Sequence, residues 1–315
     1  MSHEPRATPI LTFSPDKHYE DFDREKLEPI YDTLAQYSLM DFHERYFMNG
    51  LIRTIRPKKV LEVGVFNGGG SALILNAISD IDGARLYSLD YAEHSYTDKT
   101  KLTGFVVEEN FPQFLDKWQM FRGGDCSRHI EAVGGDIDLL VLDTVHMHPW
   151  ETLNFLCVLP FMKMGSYVIL HDITLEYLNM RQRNHLACRY LYSHVVSDEK
   201  VSPRPDYIGF PSNIGAFKVS EVTVKYVNNL FENLVIPWES EVKPEDMESI
   251  SAIIKKYYSP EQYKFFCDAL DYQKELKAYT ELTARKYPLK ISMKIFMRSW
   301  QPKLFYWLKH TLKGK

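Results

Sequence analysis

Acidic and histidine side chains follow two apolar segments in the middle of the chain. One segment ends in Asp143, three residues before His146, and the other ends in His171 and Asp172. Carboxylate and imidazole groups can together hold a divalent metal, and a neutral imidazole can act as a general base. Each acid could instead cap the helix that follows it. His171 could support a metal site without itself contacting the metal.

A glycine-rich loop precedes these residues, running from Glu62 to Ser71 as EVGVFNGGGS. Glycine allows a backbone to approach a ligand closely, and the start of a helix favours polar or negative groups. Asp90 closes the next apolar segment and could accept hydrogen bonds from ribose hydroxyls. Phe66 stands where a dinucleotide-binding GxGxxG pattern has its second glycine, and no P-loop Lys-Ser/Thr follows. The loop favours a nucleoside-type ligand, with a plain structural turn as the alternative.

The segments around these residues alternate between two periodicities. Short apolar, β-branched patterns predict strands at 59–65, 84–90, 118–122, 137–143 and 165–172. Helical patterns lie between them at 71–79, 106–117, 126–133 and 149–161. Strands that alternate with helices predict parallel βαβ units, and near-continuous apolar strands predict an α/β sheet covered on both faces. Ligands bind at the carboxyl ends of such strands, so the glycine loop, the acids and the histidines should share one edge.

Mostly helical patterns flank this core. Helices are predicted at 22–55, 177–193, 222–234, 244–258, 260–287 and 291–312, and a hairpin at 207–219. We therefore divide the chain into an N-terminal arm with helices at 1–55, a core at 56–220, and a helical extension with a basic aromatic tail at 221–315.

Composition excludes several classes of protein. The chain has 315 residues, of which 45% are hydrophobic and 25% charged, as in soluble globular proteins. Its four cysteines form no CxxC pair, which argues against a zinc ribbon or a thioredoxin-type site. No apolar segment is long enough for a membrane helix, and the first residues lack the pattern of a secretory signal. We therefore expect a cytoplasmic protein.

The C-terminal segment 285–315 contains no acidic residue among many lysines, arginines and aromatic residues, whereas the rest of the chain is acidic. Such a segment could lie on an anionic membrane at its inner face or contact a membrane enzyme. It could also dock on its own acidic body or mediate homo-oligomerisation. The acidic body argues against a nucleic-acid partner.

The order and spacing of these motifs resemble class I S-adenosylmethionine-dependent methyltransferases over about residues 56–220. The matching segments are VLEVGVFNGGGSALIL, YSLDYAEH, FRGGDCSRHI and DLLVLDTVHMHPWETLNFL, followed by LPFMKMGSYVILHDI. They look most like the O-methyltransferase-like subgroup of sugar and polysaccharide biosynthesis. The resemblance implies a Rossmann-like, mostly parallel seven-stranded sheet with helices on both faces and one antiparallel strand.

The resemblance also implies S-adenosylmethionine as the cofactor. Glu62, Gly64 and Gly68 would match the motif that holds its methionine part. Asp90 would match the acid that binds its ribose, and Asp125 a position near its adenine.

The same resemblance assigns roles to the acids and histidines. Asp143 and Asp172 would match metal-binding acids, with Asp143 also bordering the cofactor, and His146 would match the base. Metal-dependent relatives tend to have a second acid or amide beside the Asp172 position, where this chain has His171 and Ile173. His171 could itself be a ligand for Mg²⁺ or another divalent metal.

The implied activity is methylation of a hydroxyl on a sugar or lipid-linked surface-glycan intermediate. A metal would lower the pKa of that hydroxyl, or a histidine would remove its proton. Two alternatives stay open on the sequence. One is a nicotinamide-dependent oxidoreductase on a Rossmann fold, and the other is a catalytically silent scaffold in a glycan-assembly complex.

Overall fold

The alternating segments of the core form a seven-stranded sheet in the computed structural model, which describes residues 18–175, 185–203 and 212–286. Its strands are β1 (Lys59–Val63), β2 (Arg85–Asp90), β3 (Trp118–Arg122), β4 (Ile137–Leu142), β5 (Met162–His171), β6 (Lys200–Val201) and β7 (Ile214–Lys218). Their order is β3-β2-β1-β4-β5-β7-β6, and β7 runs antiparallel to both of its neighbours. The other pairings are parallel, so the predicted sheet with one antiparallel strand is confirmed.

The register of the central strands brings their carboxyl ends to one edge. Val63 pairs with Leu89 on one side and with Leu142 on the other. The backbone ladder continues past these residues, because Gly64 donates to Leu89 and Asp143 donates to Val63, both at 2.9 Å. The residues after β1, β2 and β4 therefore emerge side by side, as the sequence predicts.

Helices precede, separate and follow the strands along the described ranges of the chain. They are α1 (Tyr31–Tyr37), α2 (Phe42–Ile55), α3 (Gly69–Ile78), α4 (Phe105–Asn110), α5 (Ile130–Val133), α6 (Trp150–Val158), α7 (Ala187–His194), α8 (Glu221–Lys225), α9 (Asn228–Asn233), α10 (Pro244–Tyr257) and α11 (Pro260–Lys286). Short 3₁₀ turns lie at Tyr19–Asp21, Arg24–Lys26, Glu28–Ile30, Pro112–Lys117, Cys126–Arg128 and Leu159–Phe161.

Apolar side chains cover the sheet on both faces. Phe47 of α2 and Ile74 of α3 form one fully buried cluster with Val141 of β4. The neighbouring Leu140 and Leu142 are also fully buried, and the alternation of a strand turns them to the opposite face. A sheet buried on both faces explains why β4 is apolar almost throughout.

Several predicted elements differ in detail. Two helical stretches were predicted within 22–55, and the second, Asp41–Ile55, is confirmed as α2 with Asp41 as its N-cap. The first is broken into 3₁₀ turns and α1, because Asp23 adopts a positive φ of 50° and Pro29 lacks a backbone donor. The helix predicted at 106–117 ends at Asn110, just before Pro112, and continues as a 3₁₀ turn. β6 was not predicted, since two residues carry no periodicity.

Some predictions fall on residues that the structure does not describe. The helix predicted at 177–193 is described from residue 185, where α7 confirms its second half. The hairpin predicted at 207–219 is described only from residue 212; β7 lies where its second strand was predicted, and the first strand falls outside the described residues. The helix predicted at 291–312 lies outside the described residues.

The chain forms two compact units, Met1–Lys264 and Phe265–Lys315. The proposed boundaries at residues 55 and 220 stay a prediction. Within the described residues, none of the helices combines the length and the apolar character that crossing a bilayer requires.

Candidate active site

A cavity of about 670 Å³ opens at the carboxyl edge of the sheet, a size usual for small-molecule sites. Its lining includes residues 37–40, 62–66, 69–70, 89–91, 124–126, 143–147, 171–172, and 240, 241 and 243. The glycine loop and the acidic and histidine residues predicted from the sequence therefore line one cavity. Residues 240, 241 and 243 were not predicted to contribute.

Two glycines shape the loop. A Cβ atom at Gly64 would lie 1.7 Å from the backbone oxygen of Asp143, and the φ of Gly64 is +91°. A Cβ atom at Gly68 would lie 2.9 Å from the backbone oxygen of Gly104, at a φ of +101°. Only glycine fits such close backbone approaches in this conformation. Gly64 borders the cavity directly, whereas Gly68 begins α3 and packs on Gly104.

Glu62 is a buried carboxyl group in the cavity wall. It accepts hydrogen bonds from the hydroxyls of Ser71 at 2.5 Å and Ser88 at 2.7 Å. Burial disfavours its charged form and raises the pKa of Glu62 to about 7. Glu62 can therefore gain or lose a proton near neutral pH, and a bound cationic ligand would favour its charged form.

Asp90 joins the glycine loop to the end of β2. Its Oδ2 accepts backbone N–H groups from Val65 at 2.7 Å and Phe66 at 3.0 Å, and its Oδ1 accepts that of Ala92 at 2.8 Å. Asp90 also lines the cavity, and each carboxylate oxygen can accept more than one hydrogen bond. Its predicted contact with ribose stays a prediction, but the structure adds a loop-shaping role.

Asp125 lies farther along the same wall. It accepts a hydrogen bond from the backbone N–H of Ser127 at 2.9 Å and so caps the 3₁₀ turn that begins at Cys126. Burial raises the pKa of Asp125 above its usual range. The group borders the cavity, and its predicted place near an adenine stays a prediction.

The C-terminal part of the first unit completes this wall. The hydroxyl of Tyr91 donates to Oδ2 of Asp246 at 2.9 Å, and Arg128 pairs with Oδ1 of Asp246 at 2.5 Å. The indole N–H of Trp150 donates to Ser240 at 3.1 Å. No sequence pattern indicates these contacts, since they join residues far apart in the chain.

A second group of lining residues follows β4 and β5. Asp143, His146 and Asp172 meet there. Nε2 of His146 lies 3.0 Å from Oδ2 of Asp172 and 3.8 Å from Oδ1 of Asp143. One donor atom from each residue lies within 4.8 Å of the others. The structure thus brings together the three residues that the sequence singled out for catalysis or metal binding.

His171 takes a different place from these three. Its Nδ1 lies 3.4 Å from a carboxylate oxygen of both Asp143 and Asp172, and its Nε2 lies 3.2 Å from Oε2 of Glu44. Burial opposes protonation, but the carboxylates of Asp143 and Asp172 outweigh it and raise the pKa of His171 well above its usual value. His171 is therefore a buried counter-ion for the acids, which favours the supporting role over the predicted role of metal ligand.

Asp172 is ionised in this setting. Burial alone would raise its pKa, but His171, His146 and a hydrogen bond from Asn213 hold the pKa of Asp172 well below its usual range. The side-chain amide of Asn213 donates to Oδ1 of Asp172 at 2.5 Å. Asn213 precedes β7, so the antiparallel strand supplies the amide that the chain lacks next to Asp172 in sequence.

Glu151 supports the turn that carries His146. Its Oε1 accepts the hydroxyl hydrogen of Thr144 and the backbone N–H of His146, each at 2.8 Å. Glu151 has no exposed surface, and burial raises its pKa. Sequence reasoning missed this residue, which reads as an ordinary acid in the first turn of α6.

Comparison with known proteins agrees with this geometry. Residues 61–173 match a family model described as a methyltransferase domain. This part of the chain resembles a methyltransferase domain. The match spans the glycine loop, Asp90, Asp125 and both strand ends that bear the acids. No curated protein matches the chain.

Solved structures also resemble the methyltransferase domain. An O-methyltransferase from Bacillus cereus in complex with SAH has 14% identity and a TM-score of 0.41, over 62% of this chain and 90% of that one. The O-methyltransferase TomG from Streptomyces achromogenes, in complex with SAM, has 13% identity and a TM-score of 0.45, over 63% of this chain and 91% of that one.

The strand order separates the methyltransferase domain from dinucleotide-binding folds. Dinucleotide enzymes have the order 3-2-1-4-5-6 with parallel strands. Here the antiparallel β7 lies between β5 and β6. The fold is the Rossmann-like methyltransferase fold, and this disfavours the nicotinamide-dependent alternative.

Proposed function

We propose that this chain is an S-adenosylmethionine-dependent O-methyltransferase that acts on a hydroxyl of a sugar or surface-glycan intermediate. One observation carries the proposal. A single cavity is lined both by the glycine loop of a methyltransferase domain and by Asp143, His146 and Asp172. A cofactor and an acceptor hydroxyl bound in that cavity would be close to a base.

The cofactor would lie along the loop and the wall that follows β2 and β3. Glu62 and Gly64 would hold its methionine part, Asp90 its ribose, and Asp125 and Tyr91 the surroundings of its adenine. S-adenosylmethionine carries a sulfonium cation, and the acidic side chains in the lining would favour a positive charge.

The methyl group of the cofactor is already activated, so the main task of the enzyme is to align it with the acceptor oxygen. A carbon–oxygen bond forms as the carbon–sulfur bond breaks, so the enzyme must hold the acceptor oxygen in line with the methyl group. The cofactor leaves as the neutral thioether S-adenosylhomocysteine. The proton of the hydroxyl must go to a base as the new bond forms, because a protonated ether is far more acidic than any side chain.

His146 is the base in this proposal. The neutral imidazole of His146 would receive the proton, and Asp172, 3.0 Å from its Nε2, would stabilise the imidazolium that results. Asp143, 3.8 Å from the same nitrogen, would add a second negative charge beside that imidazolium.

The donor set also fits a divalent metal. Two carboxylates and one imidazole, with donor atoms within 4.8 Å of one another, match the oxygen and nitrogen ligands that Mn²⁺, Zn²⁺ or Mg²⁺ accept. Asp143, His146 and Asp172 would hold such an ion. When bound, it would supply a Lewis acid that lowers the pKa of the hydroxyl.

Two features support a sugar as the acceptor: the family resemblance of the sequence and the exposed side chains in the cavity lining. Leu39 is 83% exposed and Tyr96 is 58% exposed, and both lie in the cavity lining. Apolar and aromatic groups of this kind can contact the apolar face of a sugar ring. Contact with a membrane or with a second copy through residues 285–315 stays a proposal, since residues 287–315 lie outside the described ranges.

The test combines cofactor binding with methyl transfer. Calorimetric titration should show micromolar binding of S-adenosylmethionine and S-adenosylhomocysteine to the wild type. Transfer of labelled methyl to a panel of neutral sugars and lipid-linked glycans should then be lost in His146→Ala, which should bind the cofactor normally. The same assay with EDTA and with added Mg²⁺ or Mn²⁺ separates the two routes. Absence of cofactor binding to the wild type would refute the proposal.

A further inference from the structure

Glu151 is buried without an obvious reason in the sequence. It is the second residue of α6 and has no exposed surface. Burying a carboxyl group costs free energy unless hydrogen bonds compensate for the lost water. The hydroxyl of Thr144 and the backbone N–H of His146 donate to Oε1, each at 2.8 Å, and compensate that oxygen, whereas Oε2 is buried without a hydrogen-bond partner among the described residues.

Both hydrogen bonds act on a strained turn. His146 adopts a φ of +60°, in the left-handed region that residues other than glycine seldom occupy. Such a conformation is unfavourable and persists only where the surroundings enforce it. Glu151 is the described side chain that holds the turn at two points, one on either side of Val145.

The strained turn sets the direction of the imidazole. With the backbone of His146 held by Glu151, Nε2 reaches Asp172 at 3.0 Å and Nδ1 lies 3.8 Å from Sγ of Cys188 and 3.9 Å from Oε1 of Glu151. A relaxed turn, with a negative φ at His146, would carry the ring away from Asp172.

We infer that Glu151 is a positioning residue for methyl transfer: it holds the turn from Thr144 to His146 so that Nε2 of His146 faces Asp172 and the cavity. The inference rests on the proposed function, in which His146 receives the proton of the acceptor. Glu151 itself does not line the cavity and touches no substrate.

The hydrogen-bond geometry predicts which substitutions are tolerated. Both bonds end on one oxygen, Oε1, and an amide oxygen can accept them as well as a carboxyl oxygen can. Glu151→Gln should therefore preserve the turn. Glu151→Leu keeps a similar volume and removes the acceptor, which leaves two buried donors unpaired.

Thr152→Val is the matched control. Thr152 is the next residue of α6, is equally buried, and accepts a hydrogen bond from the side chain of Asn233 at 2.7 Å. Its substitution removes a buried acceptor from the same helical turn without touching His146.

The experiment measures kcat, cofactor affinity and the His146 backbone amide in the full-length protein. In Glu151→Leu, kcat should fall about 100-fold, the scale of general-base catalysis, while Kd for S-adenosylhomocysteine stays within about 2-fold. In Glu151→Gln, kcat should stay within about 5-fold of the wild type, and in Thr152→Val within about 2-fold. The amide proton resonance of His146 should move upfield in Glu151→Leu alone.

Three results would overturn the inference. They are an unchanged kcat in Glu151→Leu, an equal loss of kcat in Glu151→Gln, and an unchanged His146 amide resonance in Glu151→Leu. Measuring the His146 amide resonance requires no turnover. It therefore still tests the hydrogen bond between Glu151 and His146 if the wild type methylates none of the acceptors tested.

Discussion

Tyr91 donates a hydrogen bond of 2.9 Å to Asp246 although 155 positions separate the two residues. Tyr91 follows β2 and lines the cavity, and Asp246 is fully buried in the first turn of α10. Arg128, just before α5, pairs with the other oxygen of the same carboxylate. α10 and the residues just before it therefore complete a ligand cavity that the α/β sheet begins.

Asp246→Ala should weaken cofactor binding and leave the chemical step intact. The substitution frees the hydroxyl of Tyr91 and the guanidinium of Arg128 from their shared anchor, so the wall beyond β2 loses its fixed position. We expect Kd for S-adenosylmethionine to rise about tenfold, equivalent to one hydrogen bond to a charged group, with kcat at saturating cofactor changed little. Isothermal titration and initial rates measure the two quantities.

Lys256→Ala is the control for the Asp246 substitution. Lys256 also lies on α10, but it pairs with Glu131 at the exposed surface, at 2.7 Å. Exposed pairs contribute little to stability, so this variant should bind the cofactor as the wild type does. Equal affinities for Asp246→Ala and the wild type would show that α10 has no part in the cofactor site.

Local pattern and strand topology were enough to predict the sheet and the meeting of the strand ends. β3 occupies the predicted residues, because Trp118–Arg122 is bounded by clear breaks in pattern. Asp143 and Asp172 meet since the carboxyl ends of neighbouring parallel strands share an edge. Neither result needs knowledge of distant contacts.

Residues that reach the site from elsewhere could not be predicted in this way. The sequence pattern around Glu44 predicts a helix capping box with Asp41, and the structure has that capping box. The carboxylate of Glu44 also contacts His171, which the pattern does not indicate. Asn213 reaches Asp172 from the start of β7, and Asp246 reaches Tyr91 from α10. These contacts depend on tertiary packing, for which a single sequence holds no periodic signal.

Gly64→Ala should abolish cofactor binding, because the added Cβ would lie 1.7 Å from a backbone oxygen that has no freedom to move. Asp143 carries that oxygen, so the substitution would displace both the loop and the catalytic strand end. We expect a loss of affinity for S-adenosylmethionine of more than about 100-fold, a scale comparable to losing several hydrogen bonds. Titration of the purified variant, with circular dichroism to check its folding, measures the effect.

Gly83→Ala separates steric clash from backbone strain. Gly83 also has a positive φ, of +70°, but nothing lies within 4 Å of its would-be Cβ. This variant should lose roughly 1 kcal/mol of stability, the cost of a left-handed alanine, and should keep its cofactor affinity. If Gly64→Ala behaved like Gly83→Ala, the close approach at the loop would have no functional meaning.

Glu62→Gln should make the protein more stable at high pH, relative to the wild type. The folded-state pKa of Glu62 is raised from 4.5 to about 7 by burial, so the unfolded state loses this proton first. The free energy of unfolding contributed by Glu62 therefore falls as pH rises from about 4.5 to about 7. Glu62→Gln has no such pH-dependent loss. The difference in the free energy of unfolding between the variant and the wild type should therefore rise by about 3 kcal/mol between pH 4 and pH 8. Urea-induced unfolding across this range measures the difference, and a gain independent of pH would contradict the raised pKa.

His148→Asn should show the opposite dependence. His148 has no exposed surface, and burial lowers its pKa from 6.5 to about 4. Between these two pH values the unfolded state binds a proton that the folded state does not, so the contribution of His148 to stability is lost as pH falls. Relative to the wild type, the variant should gain about 3 kcal/mol on going from pH 8 to pH 4.

The two slopes overlap and oppose each other, so the wild type alone reveals neither. Between about pH 4.5 and pH 6.5, stability falls with rising pH through Glu62 and rises through His148. The double variant should therefore follow the pH dependence of the wild type in this window more closely than either single variant does. Unfolding curves for all four proteins, measured at pH 4, 5.5, 7 and 8, test the argument as a set. Parallel curves for the two single variants would mean that the two pKa shifts are not both present with opposite signs.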